Sequence, residues 1–248
     1  LDIREAEYGG EMLYINKSAH HPMWAMEYSR DEGLRKYWDE YSYPYHKEGA
    51  GPLYRGKDAS DYNHNQDMLA VENIRRWFDY WQERPGTGTR ISSGGVKIIF
   101  SDTNTHFRGE ENYRRSGVTD AMRIPKDAFY AHQVMWDGWV DIEQPRIHII
   151  GHWNYKEDVI KPVYVVSGAD KVELFLNGKS LGEGEREYHF LYTFKDVQFE
   201  TGKLEAIGYD ETGKECCRTE LQTAGKPEEI RLTFVQSPDG WKADGADM

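Results

Sequence analysis

The chain has 248 residues and is 38% hydrophobic and 14% aromatic, enough apolar mass for a sizeable core and too much for global disorder. A net charge of −12 argues against nucleic acid or an anionic membrane as the main partner, since both need a basic footprint. No apolar run approaches the ~18–20 residues of a membrane span, so no membrane span is expected.

Leu1 is not an initiator Met and opens no signal peptide, so we expect residue 1 not to be a natural N-terminus. The first apolar run is Pro22–Met23–Trp24–Ala25–Met26, and it stops at a carboxylate, Glu27. Read as a parallel strand, this places an acid at a strand C-terminal end, where (β/α)₈ barrels build their active sites. The plainer alternative is that Glu27 pairs with Arg30 or Arg35. The preceding His20-His21 pair is not a metal site, because neighbours on a strand point to opposite faces and no third ligand has suitable spacing.

Residues 37–67 are rich in Tyr, Gly and Asp and too long for an ordinary connection, which suggests a loop that shapes specificity. The next segment, 67–85, has Val71, Ile74, Phe78 and Trp81 at three- and four-residue spacing and ends at Pro85; it reads as an amphipathic helix. After a Gly-rich break, "VKIIF" (96–100) reads as a strand covered on both faces. A second helix is expected from Pro125, with proline in the first turn. Alternating strand and helix signals imply βα units on a parallel sheet.

After Pro145 the pattern changes. Five β-rich runs follow, separated by turn signals at Gly168, Asn177-Gly178, Gly202 and Asp210 to Gly213, as in a β-sandwich. The two cysteines, Cys216 and Cys217, are adjacent and expected to be unbonded, inert thiols. Residues 226–248 read as the first strand or two of a further module, cut off mid-way. No CxxC, HExxH, P-loop or GxGxxG motif occurs, so no cofactor or metal is expected.

The segment Pro22 to Ser29, with its Glu27-Tyr28 pair, resembles the nucleophile strand of glycoside hydrolase family 2, the β-galactosidase and β-glucuronidase family. "RRSGVTDAMRIPKDAFYAHQVMW" (114–136) resembles the stretch that closes that family's barrel. "IHIIGHWNY" (147–155) and "KVELFLNGKSLG" (171–182) resemble the immunoglobulin-like module that follows it, and "LTFVQSPDGWKADGADM" the opening of a later β-module. The resemblance implies an α/β plus all-β protein: residues 1–145 the C-terminal portion of a TIM barrel, 146–225 an immunoglobulin-like sandwich, and 226–248 the start of another module. Leu1–Tyr8 would then lie near barrel strand six, Pro22–Glu27 in strand seven and Val96–Phe100 in strand eight.

It also implies a retaining glycosidase acting on β-linked sugars, with Glu27 as nucleophile, the acid/base outside this chain and the isolated chain inactive. Tyr8 resembles the tyrosine that hydrogen-bonds the nucleophile, although Glu7 stands where the family usually has Asn; an ordinary packing tyrosine is the alternative. After strand eight the family commonly reads Phe-x-Trp-Thr-Gly-x-Asp-Tyr, whereas this chain reads "IIFSDTNTHFRG". Trp24, Trp38, Asp102, Asn104 and His106 are the candidate substrate-binding residues. The implied partners are a carbohydrate, on an oligo- or polysaccharide, and the rest of its own polypeptide, with N-terminal β-domains and the first part of the barrel. By analogy such enzymes are periplasmic or secreted. A non-catalytic carbohydrate-binding or scaffold fragment is the competing reading.

Overall fold

The structure, a computed structural model, describes residues 4–6, 22–28, 31–51, 63–82, 91–97, 99–104, 113–233, 238 and 240; for 4–6, 22–28, 79–82 and 91–96 it describes the backbone alone. Described residues form mostly β-sheet with two helices. Three strands, β1 (Arg4–Ala6), β2 (Pro22–Tyr28) and β5 (Ile91–Lys97), make a parallel sheet with β2 in the centre. Proline is tolerated at the first residue of β2, where it need not donate to the ladder. Beyond β2, the short strands β3 (Glu32–Gly33) and β4 (Asn63–His64) pair parallel to each other.

Strand β5 ends at Lys97, whereas the sequence placed a strand at 96–100. Its pairing with β2 runs from Pro22↔Ile91 to Tyr28↔Lys97, which draws the strand back into "ISSGG". The rest of the apolar run changes partner: Val118 and Thr119 donate their amides to the carbonyls of Ile99 and Phe100, at 3.3 and 2.9 Å. One hydrophobic run therefore serves two different backbones.

Helix α1 (Gln66–Gln82) carries three members of the expected stripe, with Val71 and Ile74 buried and Phe78 half-buried; the side chain of Trp81, the fourth, lies outside the described residues. Its first amides, of Gln66 and Asp67, donate to the carbonyls of Tyr37 and Trp38, which satisfies donors that a helix start otherwise leaves orphaned. Helix α2 (Asp127–Val140) starts two residues after Pro125, later than the sequence suggested. Lys126 precedes it with an extended backbone and sends its side chain elsewhere, so the proline lies outside the first turn.

Residues 147–222 form two antiparallel four-stranded sheets. One has the order β10 (Glu185–Glu187), β11 (Leu191–Gln198), β7 (Ile160–Ser167), β6 (Ile147–Ile149). The other runs β13 (Glu215–Gln222), β12 (Lys203–Tyr209), β8 (Lys171–Leu176), β9 (Lys179–Glu183). Strand β8 shows the period of two that a half-buried strand requires: Val172, Leu174 and Leu176 point into the core while Lys171, Glu173 and Phe175 do not. The β8–β9 turn puts Asn177 and Gly178 at φ 52° and 80°, the left-handed pair that a tight hairpin needs.

The run Val163–Tyr164–Val165–Val166 is apolar throughout because both faces of its sheet are covered. Val163 and Val165 join Tyr192 and Leu204 in the core between the sheets, while Val166 joins Phe190, Leu191 and the helix residues Ile74 and Met135 on the other side. Each such side chain contributes about 1.5–3 kcal/mol on burial. The two thiols are free with their sulfurs 4.0 Å apart, and burial pushes Cys217 up to about 12. Residues 223–233 take no regular form, with Ile230 92% and Leu232 87% exposed, so the strand expected there does not begin among the described residues. Most of 234–248 lies outside the described residues.

Candidate active site

Glu27 is the penultimate residue of β2, the central strand of the parallel sheet, and Trp24 lies earlier in that strand opposite Gly94. Their side chains, and Tyr8 and His106 altogether, lie outside the described residues. The segments that follow β2 and β5 come together. They enclose a cleft of about 520 Å³ lined by Trp38, Asp102 and Asn104, together with Lys36, Tyr113 and Asp120. Three of the five candidate substrate-binding residues thus share one cleft. Arg35, one of the two cations offered as partners for Glu27, lies 3.4 Å from Asp120; Arg30, the other, lies outside the described residues.

Asp102 has a structural tie as well. Its Oδ1 accepts from the Gly117 amide at 2.9 Å and from Lys126 Nζ at 2.9 Å. Lys126 is fully buried and also donates to the carbonyls of Gly33, at 2.6 Å, and Arg115, at 3.0 Å. One ammonium therefore ties the segment after β2 to the segment after β5. Burial lifts the Asp102 carboxyl and lowers the Lys126 ammonium, each against the attraction of the other.

Four residues after Glu27 comes Asp31, fully buried, which accepts from His64 Nε2 at 3.3 Å and from Arg76 at 2.9 Å. His64 bonds Glu48 through its other ring nitrogen. Burial alone would lower the imidazole, but the bonds to Asp31 and Glu48 overcome it and raise His64 to about 9, so it is a cation at neutral pH. Glu32 faces Arg115 Nε at 3.4 Å, and Arg115 also donates to Asn63 at 3.2 Å. Arg115 thus works within an ion-pair network.

The loop that carries Trp38 also meets the sandwich. Asp39 Oδ2 accepts from Tyr155 at 2.5 Å and from Lys161 at 2.7 Å. Burial would raise Asp39, yet the Lys161 charge and the bonds from Lys161 and Tyr155 hold it below the usual carboxylate range. His152 stacks on Tyr155 at 4.5 Å and meets Trp38 edge-on at 5.6 Å, while Trp153 fills the sandwich core. None of Asp31, His64, Asp39 and Lys161 stood out in the sequence, and Lys126 did so only as part of the Pro125-Lys126-Asp127-Ala128 run of the barrel-closing resemblance; the one further trace was the clustering of Asp, Glu and Arg after Glu27. No group of three His, Cys, Asp or Glu placed to hold a metal occurs among the described residues, and none of their helices is long and apolar enough to cross a membrane.

A family model described as a domain of unknown function, DUF4982, matches residues 158–217. A β-glucuronidase of Formosa agariphila is 34% identical over 92% of this chain and 22% of its own length. A β-galactosidase of Bacteroides ovatus is 37% identical over 53% of this chain and 15% of its own. The solved structure of a glycoside hydrolase family 2 β-glucuronidase superposes with a TM-score of 0.75 at 29% identity, over all of this chain and 24% of that one. The chain spans about a fifth of the length of the curated relatives it matches. Matched along nearly its whole length in sequence and in fold, the chain belongs to glycoside hydrolase family 2.

Proposed function

We propose that the protein carrying this chain is a retaining glycosidase that cleaves β-linked sugars, with Glu27 as the nucleophile. The observation that carries the reading is the position of Glu27: next to last in the central parallel strand, whose following segment helps build the cleft lined by Trp38, Asp102 and Asn104. The relatives' names, β-glucuronidase and β-galactosidase, support the same chemistry. In this reading β1, β2 and β5 are strands six to eight of a (β/α)₈ barrel, residues 1–145 are barrel, 146–225 immunoglobulin-like sandwich and 226–248 the start of another module.

The ionised Glu27 carboxylate attacks the anomeric carbon and forms a glycosyl ester as the leaving oxygen takes a proton from an acid about 5–5.5 Å away. The same group then deprotonates the water that releases the sugar. That second carboxyl group is supplied from outside these residues, so the isolated chain is inactive. Tyr8 hydrogen-bonds Glu27, and Trp24 and His106 join the cleft residues in holding the sugar.

The test uses the full-length protein, assayed on 4-nitrophenyl β-glucuronide and β-galactoside and then labelled with the matching 2-deoxy-2-fluoro glycoside. Turnover of one of them and a labelled peptide containing Glu27 are expected. Turnover of neither, or a label on a peptide lacking Glu27, overturns the reading in favour of a binding or scaffold role.

A further inference from the structure

We infer that the β-sandwich sets the substrate-facing pose of Trp38, with Tyr155 and Lys161 acting as positioning residues through Asp39. This rests on the reading of the Trp38 cleft as the sugar site; of the bracing residues, Lys161 lies within the part of the chain matched by the domain of unknown function.

Trp38 belongs to a long loop, and a loop indole has little of its own to hold it. Here it is held from two sides. The Trp38 carbonyl accepts the Asp67 amide at the start of α1, at 3.1 Å. Its neighbour Asp39 is buried, with Oδ1 taken by the loop's own amides of Tyr41 and Ser42, at 3.0 and 2.9 Å. The other oxygen, Oδ2, receives the sandwich's Tyr155 hydroxyl and Lys161 ammonium. Lys161 in turn donates to the Tyr155 hydroxyl at 3.0 Å, closing a triangle. The edge contact of His152 on Trp38, with His152 stacked on Tyr155, carries the same restraint to the ring itself.

A buried ion pair adds little net stability compared with apolar packing, but it fixes geometry sharply because each partner is costly to leave unpaired. The Asp39 triangle joins a cleft loop to a separate sheet, so its geometric effect falls on Trp38. An indole set in place before binding loses less freedom when a sugar docks, which lowers KM without altering the reacting groups.

The experiment measures kcat and KM of the full-length protein on whichever of the two 4-nitrophenyl glycosides it hydrolyses, with Tyr155→Phe, Trp38→Ala and the double variant. Tyr155→Phe removes one hydroxyl and keeps the ring that stacks on His152. It is expected to raise KM about 3- to 10-fold with kcat within about twofold. Trp38→Ala should raise KM at least as much, and Tyr155→Phe should add nothing in that background, because its effect runs through the indole. If Tyr155→Phe leaves KM unchanged, or its effect adds in full to that of Trp38→Ala, the brace is wrong while the cleft stands. If Trp38→Ala itself leaves KM unchanged, the cleft is not the sugar site and the brace falls with it.

Discussion

The sandwich and the strand-end region are held together by opposite means. In the sandwich, Val172, Leu174, Leu176, Tyr192 and Leu204 fill one continuous apolar core, and its exposed ion pairs, such as Lys195 with Glu185, sit outside it. Around the cleft and behind it, buried ion pairs take that place: Lys126 with Asp102, Arg115 with Glu32, His64 with Asp31 and Glu48. Apolar burial tolerates small shifts, because its energy follows area. A buried charge does not, since a partner displaced by an ångström leaves an ion in a medium that solvates it poorly. A fold that must hold two strand ends in fixed relation uses the second kind of contact there.

The sharpest way to break this contrast is to remove one member of each kind. Lys126→Met, which takes the ammonium away from Asp102 and from the Gly33 and Arg115 carbonyls and leaves Asp102 only the Gly117 amide, should cost about 3–5 kcal/mol and lower kcat/KM as well. Leu174→Ala should cost about 2–5 kcal/mol and leave KM unchanged in whatever folds. Chemical denaturation and steady-state kinetics of the full-length variants read both quantities, and equal damage to KM from the two would erase the distinction.

A smaller effect is read in alkali. His64 titrates at about 9 in the fold against an ordinary 6.5, so its contribution is complete below pH 6.5 and is lost as pH rises through 9. That shift corresponds to about 3 kcal/mol. Asp67, which burial raises to about 8 against the pull of Lys161, loses stability in the same direction between its ordinary 3.8 and 8. Across pH 8 to 9 the His64→Gln protein should therefore show a shallower fall in stability than the wild type. An unchanged slope would remove His64 from the account.

The smallest effect concerns the seam. A methyl at Gly138 would stand 2.5 Å from the Phe190 ring, and Gly138→Ala should cost about 1–3 kcal/mol by overpacking. Thermal unfolding at neutral pH checks this, and a neutral result would mean that the ring has room to turn away.

What the sequence disclosed follows the same division. The alternation of β8, the Asn177-Gly178 turn and the stripe of α1 are local patterns, so they were legible. The extent of β5 was not, because it depends on which backbone Ile91 to Phe100 finds to pair with. Lys126 was legible as part of a family-like motif but not as a buried charge, because its burial is fixed by Gly33 and Arg115, 93 and 11 residues away. Asp102 and Trp38 were picked out for their place after a strand or within a long loop; the partners that hold them, Lys126 and the Asp39 triangle, come from distant segments.

Phe190 and Leu191 belong to the sandwich by chain order but pack with Ile74, Ala131 and Met135 of the helices. The hydrophobic boundary therefore does not follow the covalent one near Pro145. For recombination, natural or engineered, the exchangeable unit is not the eight-stranded sandwich alone: grafted without α1 and α2, it would carry a raw aromatic face into its new host.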